Sequence, residues 1–130
     1  MKRSVLYLDD ETVCLNLFRE VFGGEYDVRT APTLAEALRL LAGHPADVVI
    51  SDQTMPDTKG TVFLAEVAAA YPSTYRVLLT GSITVGTALH EIGVGVVQAF
   101  VTKPWRKEDI YRVMERGLAD RELWREAASR

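Results

Sequence analysis

Val5-Leu6-Tyr7-Leu8-Asp9-Asp10-Glu11 joins a short apolar run to three consecutive acids near the start of the chain. Continuous apolar runs of this length are typical of strands that are buried on both faces of a parallel sheet. The acids follow at the point where such a strand ends, and open α/β sheets bind their ligands at that edge. The run therefore predicts the kind of sheet and the edge on which a functional site lies.

The rest of the chain repeats this order of strand and helix. Four further strands are predicted from apolar runs, at Tyr26–Ala31, Asp47–Ser51, Arg76–Leu79 and Val96–Thr102. Helices are predicted at Glu11–Phe22, from the capping residue Thr33 through Leu41, from about Thr61 to Ala70, at Ile83–Ile92 and from about Arg106 onwards. The first helix carries two apolar stripes at helical spacing: Val13, Leu17 and Val21, and Leu15, Phe18 and Phe22. Five strands alternating with five helices predict a flavodoxin-like doubly wound α/β fold with a five-stranded parallel sheet in the order 2-1-3-4-5. The second strand, in which apolar and polar residues alternate, is expected at the edge of that sheet.

Length and composition indicate one soluble domain and exclude several classes of protein. The chain has 130 residues, a net charge of −3 and 48% hydrophobic residues, which fits a domain of about 100–150 residues. Cys14 is the single cysteine, so an internal disulfide is excluded. We find neither the basic stripe of a nucleic-acid-binding protein nor the ~20 apolar residues of a membrane span. We therefore expect a cytoplasmic protein without direct nucleic-acid or membrane contacts.

Polar residues follow four of the predicted strands. These are Asp9 and Asp10 after the first strand, Asp52 after the third, Thr80 and Gly81 after the fourth, and Lys103 and Pro104 after the fifth. In the predicted strand order their strands are neighbours, so three carboxylates, a hydroxyl and an ammonium meet in one crevice. Clustered carboxylates repel one another, and a hard cation such as Mg²⁺ relieves that repulsion. Such a site suits a phosphoryl group, and a carboxylate can itself be the nucleophile that accepts it.

Taken together, the motifs resemble those of the response regulator receiver family of two-component signalling. They are Leu8-Asp9-Asp10-Glu11, Ser51-Asp52-Gln53-Thr54-Met55-Pro56 with Gly60, Leu79-Thr80-Gly81, and Phe100-Val101-Thr102-Lys103-Pro104. The resemblance covers the whole chain and implies a receiver domain over residues 1–119. It also implies a sensor histidine kinase as phosphodonor and a downstream output domain or protein as partner. The face formed by the fourth predicted helix, the fifth strand and the last helix would switch on phosphorylation.

The resemblance also implies a role for each site residue. Asp52 would be the phosphoacceptor, and Asp10 and Asp52 would bind Mg²⁺ directly. The backbone carbonyl of Thr54 would be a further ligand, and Asp9 would act through water. Thr80, followed by Gly81, would donate its hydroxyl to the phosphoryl group, and Lys103 would pair with a phosphoryl oxygen. The bond from Lys103 to Pro104 would be cis. Phe100 stands at the aromatic switch position, where Tyr is frequent in the family.

Two other functions are compatible with part of this residue set. A phosphatase of the haloacid dehalogenase type uses a similar residue set, but it needs a second Asp two residues after its nucleophile, where this chain has Thr54. A degenerate receiver that acts only as an interaction module is a third hypothesis. We expect no enzyme activity. For Phe100, packing in the core is favoured over a signalling role.

The last helix has its predicted buried face at Ile110, Val113, Met114, Gly117 and Leu118. Beyond Ala119 the charged, helix-favouring pattern continues, which predicts a helical extension or linker over residues 120–130. We expect that it leads into an output domain or forms a homodimer seam through Leu123 and Trp124.

Overall fold

A computed structural model describes residues 2–81, 90 and 92–128, with side chains described as far as residue 123. Its strands are β1 (Ser4–Leu8), β2 (Asp27–Ala31), β3 (Val48–Asp52), β4 (Tyr75–Thr80) and β5 (Ala99–Thr102). All pairs are parallel and the order is β2-β1-β3-β4-β5. The predicted flavodoxin-like sheet and its β2 edge are thereby confirmed.

Four helices are seen in the described part of the chain: α1 (Thr12–Phe22), α2 (Leu34–Gly43), α3 (Gly60–Ala70) and α4 (Lys107–Ala128). Thr33 caps α2 as predicted, because its hydroxyl accepts a hydrogen bond from the backbone N–H of Glu36. The helix predicted at Ile83–Ile92 falls almost entirely outside the described residues. None of the described helices is long and apolar enough to cross a membrane.

The sheet separates two apolar cores. On one face Tyr7 of β1 packs with Phe18 of α1 and Met114 of α4. On the other face Leu6 of β1 packs with side chains of α2 and α3, among them Phe63. Alternate residues of one strand thus serve opposite cores, as the side-chain period of a strand requires.

Only one of the two apolar stripes of α1 is buried. Leu15, Phe18 and Phe22 enter the core, whereas Val13 is 77% exposed and Leu17 is 48% exposed. A helix that lies on a sheet offers one face to it, so Val13 and Leu17 stay largely in solvent, and Val21 is only partly buried against the core.

Strand β5 begins at Ala99, three residues later than predicted. The residues just before β5 are held by side-chain hydrogen bonds instead of by a strand ladder. Arg76 donates from its guanidinium to the carbonyls of Gly95 and Val96, and the side chain of Gln98 accepts the N–H of Arg76. The ladder with β4 therefore starts at the pair Val77 and Ala99.

Helix α4 is fixed to the sheet beyond its apolar face. At Gly117 an added Cβ would lie 2.2 Å from the ring of Tyr75, so only glycine permits this approach of helix and strand. One turn further, Arg121 donates to the carboxylate of Asp47 at 2.9 Å, and Arg3 pairs with Glu122 at 2.6 Å. We call these four charged residues the basal clamp, because they lie at the amino ends of β1 and β3.

Candidate phosphoryl-acceptor site

Asp9 lies at the carboxyl end of β1 and is completely buried. One carboxylate oxygen, Oδ1, accepts the backbone N–H of Glu11 at 3.0 Å. The other, Oδ2, accepts the ammonium of Lys103 at 3.1 Å and the hydroxyl of Tyr7. A buried charge is tolerated when it is paired and hydrogen-bonded in this way.

Lys103 joins this carboxylate to a second one. Its Nζ lies 3.1 Å from Asp9 Oδ2 and 3.2 Å from Oδ1 of Asp52, the last residue of β3. Asp52 is 5% exposed, and Asp10 is exposed beside it. The ammonium therefore bridges carboxylates at the carboxyl ends of two adjacent strands, as the predicted convergence at the sheet edge requires.

The charges in this pocket shift one another's proton affinities. Burial raises the pKa of Asp52, and the negative charge of Asp9 adds to that rise, while Lys103 opposes it. Burial alone would lower the pKa of Lys103, but its hydrogen bond to Asp9 and the attraction of both carboxylates raise it. Burial, followed by the hydrogen bond to Asp9, raises the pKa of Tyr7 well above its usual range. The pocket thus holds a protonated lysine between carboxylates whose negative charge is in excess.

The segment after Asp52 is held close to β3 by glycine and by Gln53. An added Cβ at Gly60 would lie 2.2 Å from the carbonyl oxygen of Asp52, so the start of α3 can approach only because no side chain is there. The carbonyl of Gln53 accepts the N–H of Gly60 at 3.0 Å, and its side chain accepts the N–H of Thr61 at 3.0 Å. Within this loop, Thr54 forms a β-bridge with Lys59.

The residues after β4 and β5 lie together at the same edge. The N–H of Lys103 donates to the carbonyl of Thr80 at 2.8 Å, and Thr80 is paired with Thr102 in the ladder. An added Cβ at Gly81 would lie 3.9 Å from Cβ of Lys103. The Lys103–Pro104 bond is cis. Backbone pairing therefore brings Thr80 and Gly81 beside the lysine.

Phe100 is 40% exposed on β5. The expectation that its ring packs in the core was wrong; β5 is an edge strand, with β4 as its one neighbour in the sheet. Trp105, two residues after Lys103, does pack inward, with its ring 6.0 Å from Phe18 and 5.9 Å from Phe22. A switching role for Phe100 stays a prediction.

The acidic residues fit a divalent cation. One carboxylate oxygen each from Asp9, Asp10 and Asp52 lies within 4.8 Å of the others. Carboxylate oxygens are the ligands that hard cations such as Mg²⁺ prefer. One lysine balances only part of this charge, so a cation at the exposed side, next to Asp10, would relieve the repulsion that remains.

Tyr7 is a residue of the site that the sequence did not predict. A tyrosine in an apolar run fits a buried strand whether or not its hydroxyl contributes to a site. Residues i and i+2 of a strand point to the same face, so the spacing from Tyr7 to Asp9 was the available signal.

The fold and this pocket define an α/β protein with an acidic, lysine-containing site at the carboxyl edge of a doubly wound sheet. The family model of the response regulator receiver domain matches residues 5–115. The chain belongs to the response regulator receiver domain family.

Relatives agree with this assignment. The transcriptional regulatory protein GlrR of Escherichia coli (strain K12) is 35% identical over 131 residues, a match that covers 95% of this chain and 29% of GlrR. The hydrogenase transcriptional regulatory protein HoxA of Cupriavidus necator is 30% identical over 78% of this chain and 21% of its own length. The chain thus spans less than a third of these curated relatives.

A solved structure of similar length also resembles this chain. The signal receiver domain of an HD domain-containing protein from Pseudomonas fluorescens Pf-5 has a TM-score of 0.85 and 29% identity. The similarity covers 97% of this chain and 94% of that one.

Proposed function

We propose that this domain is a phosphorylation switch in which Asp52 accepts a phosphoryl group from a sensor histidine kinase. The observation that carries the proposal is the ammonium of Lys103 lying 3.1 Å from Asp9 and 3.2 Å from Asp52. A lysine held beside a carboxylate at the open edge of a sheet is placed to neutralise a phosphoryl oxygen.

The transfer itself is a substitution at phosphorus. A carboxylate oxygen of Asp52 forms a bond to the phosphorus, and the bond from phosphorus to the donor's imidazole nitrogen breaks. The electron pair of that bond stays with the nitrogen, so the donor leaves as neutral histidine after it takes a proton. The product is a mixed anhydride on Asp52. Its phosphoryl oxygens come within reach of Lys103 and of the Thr80 hydroxyl.

Asp10 and Asp52 would hold Mg²⁺ directly, with the backbone carbonyl of Thr54 as a third ligand and Asp9 acting through water. When bound, the cation neutralises the negative charge that the carboxylates and phosphoryl oxygens bring together. This chain's own contribution is to hold both carboxylates at the ends of adjacent, buried strands and to supply the ammonium.

The consequence of phosphorylation is a change at the face that the fourth predicted helix, β5 and the last helix, α4, would form. Lys103 follows directly from β5, so drawing its ammonium towards a phosphoryl group acts on that strand. Exposed Phe100 lies on the same strand and would respond through its ring. The output partner is a downstream domain or protein, since curated relatives such as GlrR are transcriptional regulators more than three times as long. Residues 120–130 would lead to that partner or form a homodimer seam. We place the domain in the cytoplasm.

A phosphatase of the haloacid dehalogenase type is the enzyme alternative. Thr54, instead of an acid, stands two residues after Asp52, which leaves such an enzyme without its general acid. We therefore propose that the domain holds its phosphoryl group and does not turn over phosphate esters. Steady hydrolysis of p-nitrophenyl phosphate that depends on Asp52 would contradict this.

The phosphoacceptor is tested by incubating the protein with Mg²⁺ and acetyl phosphate and measuring the intact mass. Wild type should gain one phosphoryl group, and Asp52→Asn should gain none. Asp57→Asn is the matched control, because Asp57 is an exposed aspartate in the same loop and should leave the mass gain unchanged. Equal phosphorylation of wild type and Asp52→Asn would refute the assignment, and no phosphorylation of wild type would favour an interaction module.

A further inference from the structure

Tyr7 is a buried tyrosine whose hydroxyl reaches into the acidic pocket from the core. Its side chain is fully buried, and its ring packs 4.7 Å from that of Phe18, centroid to centroid. The hydroxyl donates to Oδ2 of Asp9, the same oxygen that accepts the ammonium of Lys103. One carboxylate oxygen is therefore shared by a rigid donor in the core and a flexible donor at the pocket.

We propose that Tyr7 is a positioning residue of the phosphoryl-acceptor site, whose hydroxyl holds the Asp9 carboxylate in place when Lys103 turns towards a phosphoryl oxygen. The inference rests on the proposed function. It adds a residue of the core to the site and gives Asp9 a support that does not depend on the lysine.

The two donors to Asp9 Oδ2 differ in their freedom to move. Tyr7 lies one residue before the end of β1 and is paired on one side with β2 and on the other with β3, and its fully buried ring packs against Phe18 of α1. Lys103 is 23% exposed in its side chain and carries its charge on a flexible stem. When the ammonium follows a phosphoryl group, Asp9 keeps its hydrogen bonds to Tyr7 and to the N–H of Glu11.

A fixed Asp9 matters for the cation as well. The carboxylate lies within 4.8 Å of those of Asp10 and Asp52, so its orientation decides how the three negative charges face a cation. Hydrogen-bond donors behind a metal-binding carboxylate orient it, and removing one typically costs about 10- to 100-fold in metal affinity or activity.

Tyr7→Phe tests the proposal because it removes the hydroxyl and keeps the ring. Tyr26→Phe is the matched control. Tyr26 is also a buried tyrosine, with 3% exposure, and its hydroxyl donates to the carboxylate of Glu115. It precedes β2 at the amino end of the sheet, away from the acidic pocket. Both variants lose one hydroxyl–carboxylate hydrogen bond, so both should lose thermal stability.

Affinity for the cation is measured with Mn²⁺ alone, by the electron paramagnetic resonance signal of the unbound ion. Tyr7→Phe should bind Mn²⁺ about tenfold more weakly than wild type, while Tyr26→Phe should match wild type. The rate of phosphorylation by acetyl phosphate at saturating Mg²⁺ should also fall in Tyr7→Phe alone, because Asp9 is then displaced when Lys103 moves.

Equal Mn²⁺ affinity and phosphorylation rates in Tyr7→Phe and Tyr26→Phe, with wild type active, would overturn the role of Tyr7 and leave the phosphorylation of Asp52 standing. A wild type that binds no Mn²⁺ and gains no phosphoryl group would overturn both. An equal loss of Mn²⁺ affinity in both variants would show that the stability of the domain alone sets the affinity, which also refutes a positioning role for Tyr7.

Discussion

Replacing Lys103 with methionine should destabilise the cation-free domain, since the ammonium separates two buried carboxylates. Its contacts of 3.1 Å to Asp9 and 3.2 Å to Asp52 each correspond to a Coulomb attraction of about 5 kcal/mol at an effective dielectric constant of roughly 20. Desolvation of the ammonium offsets part of this attraction, and methionine keeps most of the apolar stem. Removing one partner of a buried ion pair typically costs about 3–5 kcal/mol. We expect a loss of that size in the free energy of unfolding.

Urea unfolding followed by circular dichroism, at neutral pH with EDTA, measures this loss. Two comparisons connect it to the pocket. In an Asp52→Asn background the same Lys103→Met change should cost less, because only Asp9 then loses its partner. Excess Mg²⁺ should restore part of the stability of Lys103→Met, because the cation neutralises the same carboxylates. A loss under about 1 kcal/mol, or an equal loss in both backgrounds, would refute the bridging role, since coupled residues deviate from additivity by about 0.5–3 kcal/mol.

Two further predictions concern residues outside the ion pair. Gly60→Ala should lower the free energy of unfolding by more than the roughly 1–3 kcal/mol of ordinary overpacking, because the new Cβ would lie 2.2 Å from the carbonyl oxygen of Asp52. The same displacement should slow phosphorylation of Asp52. Urea unfolding measures the first effect and intact-mass kinetics the second, and wild-type values in both would contradict the close approach. Asp47 is partly buried, which opposes its charge, but the N–H of Ser4 and the guanidinium of Arg121 lower its pKa overall. Its contribution to stability is therefore present above the unfolded-state pKa of about 3.9 and is lost as the pH falls through the lower folded-state pKa. Asp47→Asn should be less stable than wild type at neutral pH and approach it in acid, and a difference that grows towards low pH in urea titrations would contradict this.

The sheet order and most of the pocket could be predicted because each depends on a pattern that is local in the chain. A buried parallel strand needs an unbroken apolar run, and its end is marked by the first polar residue. Asp9, Asp52, Thr80 and Lys103 are all such first polar residues or directly follow one, and strand order alone then brings them to one edge.

What the sequence did not reveal depends on contacts between distant residues. The start of β5 was misplaced because Arg76 and Gln98 hold the preceding backbone through their side chains, which no apolar pattern indicates. Both stripes of α1 are apolar, and only its packing against the sheet selects the one that is buried. Phe100 is exposed on the edge strand β5 although its residue type is typical of a core. Tyr7 belongs to the site through the hydrogen bond that its hydroxyl donates to Asp9.

The basal clamp has a consequence for any segment joined to the end of α4. The helix runs unbroken from Lys107 to Ala128 and is tied through Arg121 and Glu122 to the residues just before β3 and β1. A helical spacer added after residue 128 would therefore keep a defined rotation about the helix axis. Each inserted residue turns the attached body by about 100° and advances it by about 1.5 Å, whereas seven residues return it to within about 20° of the original direction. The response of a reporter domain fused after the spacer to phosphorylation should therefore rise and fall with spacer length, with the period of the helical repeat.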